Sequence, residues 1–531
     1  MSLINDHNGR AYKVHLCKTN IAQNNNKFYD MELLDNGGKG AGKYSVKLIN
    51  GRIGYRGVTH LKDFADLKKA KEFFENKFHE KTHLHWEERD EEPVPNRYAV
   101  VELANNTKEV KNEIKEEEPE NKKELNLEKK NTSRTRKRRA QEKEIKKEEG
   151  SEQIENINEK VKELIKCICD EDVHLGLLKQ LKFNEAYGKP VDCLSLAQLT
   201  TGYEILSTIE ASIGQRKARS STRSRTLISK PAGPSIHDIN KYYSLIPHSF
   251  GFSVPPIIDT LAKIEAEREL LDALKGSIEA SMEMKDLNKT KSEKNIYQRL
   301  YERLPCQLEP VSEEIAEKIG ECLSLRGPTH FYKLSLVEAF ELKDPNAEEK
   351  TQEEIPKQRT KKSAASKSTK NVTKRLLWHG TRVTNVFSIL MNGLRIPEGD
   401  RCGLMFGNGV YFANVPTKSA NYCCPEASKR VFMLLCEVET ANPLILYESE
   451  VDADEKMAKA KKSSVYAAGK NTPRETVEIN GIPAFKSQLE TIKKETRLLY
   501  DEYVFFDQEK FKIKYVVEVK VDQLTAEEMM A

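Results

Sequence analysis

The chain has 531 residues, and because a single hydrophobic core rarely grows beyond about 250 residues, we expect about three or four domains. Charged residues make up 32% and hydrophobic residues 38%, which indicates that ordinary cores alternate with segments that stay unfolded. The net charge of +4 is too small to indicate a partner, and no apolar run approaches the roughly 18 residues of a membrane span, which excludes a membrane-spanning protein.

Cysteine use and the N-terminal sequence indicate the compartment. Ten cysteines are scattered without a Cys-x-x-Cys pair, which is typical of free thiols in a reducing compartment and argues against a cysteine zinc finger. The first residues lack the apolar core of a signal peptide. We therefore expect a soluble intracellular protein.

Residues 1–103 have the pattern of one compact α+β module. Short alternating runs between residues 11 and 58 predict a small, mostly antiparallel sheet. Residues 61–78 carry aromatic and aliphatic side chains at helical spacing, and Tyr98–Val101 predicts a closing strand.

Two motif matches in this module have a plain alternative. The segment Gly37–Lys43 approaches a phosphate-binding loop, but Tyr44 replaces the hydroxyl that would bind magnesium and a strand follows, so a flexible hairpin turn is favoured. His79 and His83 match His-Glu-x-x-His, a pattern that can bind zinc on a helix. No third ligand is evident, and a polar helix end is the favoured interpretation.

The next segments differ sharply in composition. Residues 104–152 are mostly Lys, Glu, Asn and Arg, which predicts a disordered charged linker. Within it, residues 129–139 (KKNTSRTRKRR) are strongly basic and are read as a nuclear address, a nucleic-acid patch or a solvated charge run. Residues 153–288 carry apolar side chains at helical spacing, including a long helix predicted from Ile257 to Met282, and predict a helical bundle.

Strands dominate the pattern in residues 289–531. The alternation of apolar residues from Ile513 to Val521 is typical of a large mixed or antiparallel sheet. An insertion at 344–374 interrupts it, and its basic second half indicates a surface loop. The whole chain is therefore predicted to be a multidomain α+β protein.

Polar residues interrupt apolar strands at three places in this last region. His379 and Gly380 follow a short apolar run, and a glycine there would let a planar ligand approach the backbone, whose N–H and C=O can pair with a carboxamide. Tyr411 and Tyr422 could stack on an aromatic heterocycle, and Ser419 could bond the same amide.

Glu502 is the least expected residue of the sheet. A carboxylate in an apolar strand is costly unless it is hydrogen-bonded or used. It could stabilise an oxocarbenium-like transition state at a sugar carbon and accept a proton from an incoming hydroxyl. Each residue taken alone could instead be a core residue whose hydrogen bonds are satisfied. The sequence pattern does not show that these residues lie close together in the fold.

These residues carry a family resemblance. Residues 376–381, 403–423 and 498–507 resemble, in this order, the catalytic domain of the poly(ADP-ribose) polymerases with its His-Tyr-Glu signature. Residues 242–252 resemble the helical autoinhibitory domain of the same family, and residues 1–103 resemble its WGR domain. Without zinc fingers before that domain, the resemblance is to the short DNA-dependent type.

The resemblance implies a reaction and roles. NAD+ would be the co-substrate, without a metal. The implied catalytic residues are Glu502, His379, Tyr411 and Lys418, and the implied NAD-binding residues are His379, Gly380, Arg395, Tyr411, Ser419 and Tyr422. The glutamate at position 502 favours polymer formation over transfer of single units.

The sequence also departs from the family pattern. The tryptophan that names the WGR domain is Asn50, and Leu84 stands where the family usually has asparagine. Arg52 remains as the implied DNA phosphate contact. The departures put DNA affinity and end preference in doubt more than catalysis.

The expected function is that of a nuclear transferase, stimulated by DNA strand breaks in the DNA damage response, that adds ADP-ribose to itself and to chromatin proteins, including histones. An accessory protein could complete its acceptor site. Two alternatives stay open: a mono-ADP-ribosyltransferase of the same family, and a catalytically silent scaffold that binds DNA ends.

Overall fold

The computed structural model describes most of the chain in several segments. The described residues are 1–38, 42–101, 157–183, 194–220, 234–290, 292, 294–343, 374–397, 404–424, 430–491 and 495–525. The predicted linker, with its basic stretch, and nearly all of the predicted insertion lie outside these residues. In the part of the chain that the structure describes, no helix is both long and apolar enough to cross a bilayer.

The N-terminal module is a six-stranded antiparallel sheet with one long helix. Its elements are β1 (Ser2–Leu3), β2 (Lys13–Asn20), β3 (Asn25–Asp35), β4 (Tyr44–Arg52), β5 (Val58–Phe64), α1 (Leu67–Thr82) and β6 (Ala99–Val101). The order is β5-β4-β3-β2-β6, with β1 paired to β3. One face packs on α1 through Leu16 and Met31, and on the other face Cys17 joins the core of the helical region.

Both motif matches in this module have structural explanations. Strands β3 and β4 pair with Asp35 opposite Tyr44, so the glycine-rich segment joins the two strands of a hairpin, although residues 39–41 lie outside the described part. Helix α1 ends at Thr82, and His83 caps it with a φ of 63° while stacking on His79. The predicted hairpin and the polar helix end are both confirmed.

The helical region packs on that second sheet face. Its elements are α2 (Glu159–Ile168), α3 (Glu171–Gln180), α4 (Leu196–Ser220), α5 (Ile236–Leu245) and α6 (Leu261–Asn288). Helix α6 starts later than predicted because the Thr260 side chain caps it by accepting from the Lys263 N–H. Ile257 therefore precedes the helix, and the sequence prediction was wrong in including it, whereas Met282 lies on the helix as predicted.

The C-terminal region contains two sheets. The larger has the order β14 (Asn471–Ile479), β15 (Ile482–Thr491), β9 (Lys374–Gly380), β11 (Arg430–Glu439), β17 (Phe511–Gln523), β8 (Tyr332–Lys343) and β7 (Gln307–Pro310). The smaller has the order β10 (Val410–Phe412), β16 (Glu502–Phe505), β13 (Val465–Ala467) and β12 (Leu444–Leu446). Among the strand pairs of the described residues, only β15–β9 and β12–β13 are parallel, which confirms the predicted mixed or antiparallel sheet.

Short helices complete this region: α7 (Ile296–Arg303), α8 (Glu313–Leu323), α9 (Val383–Asn392), α10 (Pro416–Ala420) and α11 (Ala453–Lys459). Helix α6 of the helical region lies directly on α9. A Cβ atom added at Gly276 of α6 would lie 2.3 Å from the Thr384 carbonyl oxygen of α9. The helical region is thus closely packed on the C-terminal region.

Candidate active site

The C-terminal end of β9 carries the first polar pair, His379 and Gly380. The His379 Nδ1 lies 2.9 Å from the Tyr411 carbonyl oxygen, and because a carbonyl only accepts, Nδ1 carries the proton. Enclosure by the surrounding protein lowers the pKa of His379, which keeps the imidazole neutral. The Nε2 atom is then an acceptor, suited to a hydroxyl donor such as that of a ribose.

Gly380 lies against α10, where a side chain has no space. A Cβ atom at Gly380 would lie 1.7 Å from the Ser419 carbonyl oxygen. The Ser419 hydroxyl donates to the Trp378 carbonyl at 3.0 Å and so fixes the last turn of α10 against β9. The two residues that the sequence assigned to one amide ligand are therefore neighbours.

Lys418 and Glu502 form the charged centre of the site. The Lys418 Nζ lies 2.9 Å from Glu502 Oε1 and also donates to the Asp501 carbonyl at 2.9 Å. Both side chains are only 14% exposed. Burial lowers the pKa of Lys418, and the Glu502 carboxylate opposes that shift. The ion pair holds the carboxylate at the start of β16 in one position.

The two site tyrosines have different environments. The Tyr411 hydroxyl donates to the Gly407 carbonyl at 2.8 Å and accepts from the Phe406 N–H at 3.1 Å. Burial raises the pKa of Tyr411, and the Glu502 carboxylate adds to the shift. Tyr422 is 57% exposed, so its ring is available for stacking. Tyr411 is thus held in place by the protein, whereas Tyr422 is open to a ligand.

Asp501 supports this arrangement, although its place in the sequence did not single it out. The side chain is fully buried and accepts from the Gly469 N–H at 2.8 Å, from Asn414 Nδ2 at 2.6 Å and from the Thr472 hydroxyl. These bonds fix the residue before Glu502 and the carbonyl that binds Lys418. Asp501 therefore positions Glu502 and its partner Lys418 through the backbone.

Comparison with known proteins finds matches along most of the chain. Models of the poly(ADP-ribose) polymerase catalytic domain, of its regulatory domain and of the WGR domain match residues 312–521, 156–301 and 12–93. The chain is 75% identical to "Poly [ADP-ribose] polymerase 2" of Caenorhabditis elegans, with 100% of each chain covered. It is 31% identical to the protein of that name from Homo sapiens, covering 97% of this chain and 80% of that protein.

The chain belongs to the poly(ADP-ribose) polymerase family. It is an ADP-ribosyltransferase that uses NAD+ as its substrate, as the resemblance predicted, and it carries the DNA-binding WGR domain. A third relative, "Poly [ADP-ribose] polymerase 2" of Arabidopsis thaliana, is 28% identical over 96% of this chain and 73% of that protein.

A second buried network lies behind α10 of the polymerase fold. The Thr417 hydroxyl contacts His330 Nδ1 at 2.7 Å and accepts from the Gly327 N–H at 3.0 Å. The Tyr332 hydroxyl donates to the Thr417 carbonyl at 2.7 Å. Burial lowers the pKa of His330, and the Lys418 charge adds to the shift. No sequence pattern indicated this network, because Thr417 is 87 residues away from His330 in the chain.

The two remaining sequence candidates lie away from this centre. Arg395 is exposed on the loop after α9 of the polymerase, where its Nε donates to the Asn392 carbonyl at 3.0 Å. Arg52 lies at the contact between the WGR domain and the helical region. Its guanidinium donates to the carbonyls of Gly251, Ser253 and Asn24 at 2.5 to 3.0 Å, so a DNA phosphate would have to compete with these acceptors.

Proposed function

We propose that this chain is a nuclear poly(ADP-ribose) polymerase that DNA strand breaks stimulate in the DNA damage response. It would modify itself and chromatin proteins such as histones, and an accessory protein could complete its acceptor site. The proposed domains are WGR 1–103, linker 104–152, helical regulatory domain 153–288 and catalytic domain 289–531.

The observation that carries the catalytic assignment is the Lys418–Glu502 pair at 2.9 Å. In the proposed step the bond between the ribose C1′ and nicotinamide breaks, and nicotinamide leaves with the bonding electrons. Glu502 stabilises the positive charge that develops on the ribose and takes the proton of the acceptor 2′-hydroxyl as the new C1′–O bond forms. Nicotinamide leaves as a neutral molecule and needs no general acid, which fits a site with a single reactive carboxylate.

The other site residues would bind NAD+. His379 Nε2 would accept from the adenosine ribose, the Gly380 backbone and the Ser419 hydroxyl would bond the carboxamide, and Tyr422 would stack on the nicotinamide ring. Tyr411 would keep His379 in place through its backbone carbonyl. Arg395 would contact the adenosine or phosphate end.

Contacts along the chain support stimulation by DNA. The Thr19 N–H of the WGR domain donates to the Ser244 hydroxyl of α5 at 2.8 Å, and Asn26 Nδ2 donates to the His248 carbonyl at 3.0 Å. Helix α6 in turn pairs Glu269 with Arg382 at 2.6 Å, next to the NAD site. DNA that binds and shifts the WGR domain would therefore change the fraction of molecules in which α6 is packed next to the NAD site.

The test is incorporation of labelled NAD+ with and without nicked DNA, followed by separation of the products on a gel. We expect nicked DNA to increase incorporation and to yield ladders of long polymer. Glu502→Gln should abolish the ladders while NAD+ binding persists, and the exposed Glu509→Gln should behave like the unmodified protein. Long polymers from Glu502→Gln would contradict the assigned role.

The same experiment separates the alternatives. Single added units without ladders would indicate a mono-ADP-ribosyltransferase. No incorporation under either condition would indicate a scaffold that binds DNA ends. Equal incorporation with and without DNA would support the transferase activity and contradict the proposed stimulation by DNA.

A further inference from the structure

An exposed aromatic pair lies where the WGR domain meets the helical region. Tyr55, in the turn between β4 and β5, and Phe252, after α5, have ring centroids 4.6 Å apart. Tyr55 is 39% exposed and Phe252 is 74% exposed. We call these two residues the aromatic pair.

The pair is held in place from beneath. The Arg52 guanidinium lies 5.9 Å from the Phe252 ring centroid and donates to the carbonyls on both sides of it, at Gly251 and Ser253. Asn24 Nδ2 donates to the carbonyl of Phe252 itself at 3.2 Å. The backbone that presents the ring is therefore fixed, so little conformational entropy is lost when a ligand covers it.

The surroundings of the pair are electropositive. The three segments that meet here, residues 17–29, 50–62 and 246–258, contain no Asp or Glu. Lys27 lies directly opposite Arg52 in the sheet, and Arg56 follows Tyr55 in the chain. Lys27 and Arg56 are both exposed, and no acidic side chain of the described residues pairs with either one. An anionic ligand with flat apolar faces is complementary to this surface.

We infer that the aromatic pair is a stacking platform for bases exposed at a DNA end, with Arg56 and Lys27 binding the adjoining phosphates. This inference rests on the proposed DNA stimulation. Base faces are covered inside an intact duplex and are free only at ends and in unpaired strands, where stacking on aromatic side chains is favourable and independent of sequence. The platform would therefore distinguish an end from continuous duplex.

The inference makes the platform a joint product of two domains. Tyr55 belongs to the WGR domain, whereas Phe252 belongs to the helical region that leads into α6. A DNA end that covers both rings could bind only while the two domains keep this arrangement. Alternatively, the bound DNA end would hold the two domains in a new arrangement. End recognition and the contact to the helical region would then be the same event.

The test compares two fluorescent DNA probes of equal sequence, a linear duplex with blunt ends and the same duplex closed into a circle that has neither ends nor unpaired bases. Binding of the full chain is measured by fluorescence anisotropy over a series of salt concentrations. Phe252→Ser should weaken binding of the blunt-ended probe about 5- to 100-fold, the range expected for loss of base stacking, and should leave the affinity for the circular probe unchanged. Because the variant retains the phosphate contacts, the salt dependence should also be unchanged.

Two control variants sharpen the result. Phe331→Ser makes the same change at a 59% exposed site of the catalytic domain and should not alter binding of either probe. Arg56→Gln should weaken both probes alike and reduce the salt slope by about one. An unfolding midpoint equal to that of the unmodified protein would show that each variant is correctly folded.

The outcomes separate this inference from the proposed function. If the unmodified protein binds neither probe, DNA stimulation itself fails. If it binds the blunt-ended probe and Phe252→Ser binds equally well, the aromatic pair is not a DNA platform, and a protein partner becomes the occupant to seek. Equal weakening of both probes by Phe252→Ser would also overturn the inference, since it would show no preference for an end.

Discussion

Replacing Asp501 with asparagine should damage the polymerase without touching a group that contacts substrate. The Asp501 carboxylate accepts three buried hydrogen bonds, from Gly469, Asn414 and Thr472. An asparagine has one oxygen and one amide nitrogen, so at least one of the three donors would face another donor. The amide orientation of lower free energy keeps the oxygen toward Asn414 and Thr472 and turns the nitrogen toward the Gly469 N–H.

The free-energy cost follows from these contacts. Loss of the bond to Gly469 leaves a buried donor without a partner, which destabilises the folded state by about 1–3 kcal/mol. The two remaining bonds also no longer have a charged acceptor. We expect a total of about 3 kcal/mol, which lowers the unfolding midpoint of a domain of this size by roughly 6–12 °C. Because Glu502 and the Lys418 contact move with this backbone, chain elongation should fall at least about tenfold.

Thermal unfolding and gel analysis of polymer length would measure these effects. Asp507→Asn is the matched control, because that exposed residue lies in the same segment and caps a short turn that asparagine can also cap. The control should keep its stability and activity. An Asp501→Asn variant with unchanged unfolding midpoint and polymer length would refute the positioning role.

Two further predictions concern β9. Since the depressed pKa keeps His379 Nε2 unprotonated, the KM for NAD+ should stay level as the pH falls to about 6.5 and rise only at lower pH; a rise that starts above that value would contradict the assigned proton positions. Unfolded His379 takes up a proton first, so its contribution to stability is present above about pH 6.5 and is lost as the pH falls further. Gly380→Ala should abolish NAD+ turnover because its Cβ would overlap the Ser419 carbonyl, whereas Gly320→Ala, with no atom within 4 Å, should leave turnover unchanged and raise the unfolding midpoint slightly. Turnover retained by Gly380→Ala would show that α10 can move.

Much of the fold was readable because long amphipathic patterns leave few alternatives. The apolar alternation of β17 and the apolar face of α2, with Val161, Leu164 and Ile165, both predicted buried elements. The start of α6 was less predictable. Ile257 continues the helical spacing, but the Thr260 cap decides where the helix begins, and a cap depends on local backbone geometry that spacing does not show.

The site was only partly readable. His379, Glu502 and the two tyrosines stand out as polar or aromatic residues in apolar strands, and a family resemblance assigns them roles. Asp501 and His330 do not stand out, because their importance lies in partners such as Thr472 and Thr417. Contacts between residues so far apart in the sequence follow from topology, which a single sequence does not specify.

Arg52 shows how a role can shift when a residue is placed in the fold. The resemblance implied a phosphate contact, and the loss of an aromatic ring at Asn50 put end recognition in doubt. In the structure, Arg52 instead binds the carbonyls of the helical region that present Phe252. If DNA competes for that guanidinium, the contact between the domains loosens; if Arg52 stays in place, DNA must act through the aromatic pair. The two routes predict different main effects of Arg52→Gln: in the first, DNA-independent activity rises, and in the second, end binding weakens because the Phe252 backbone is no longer held.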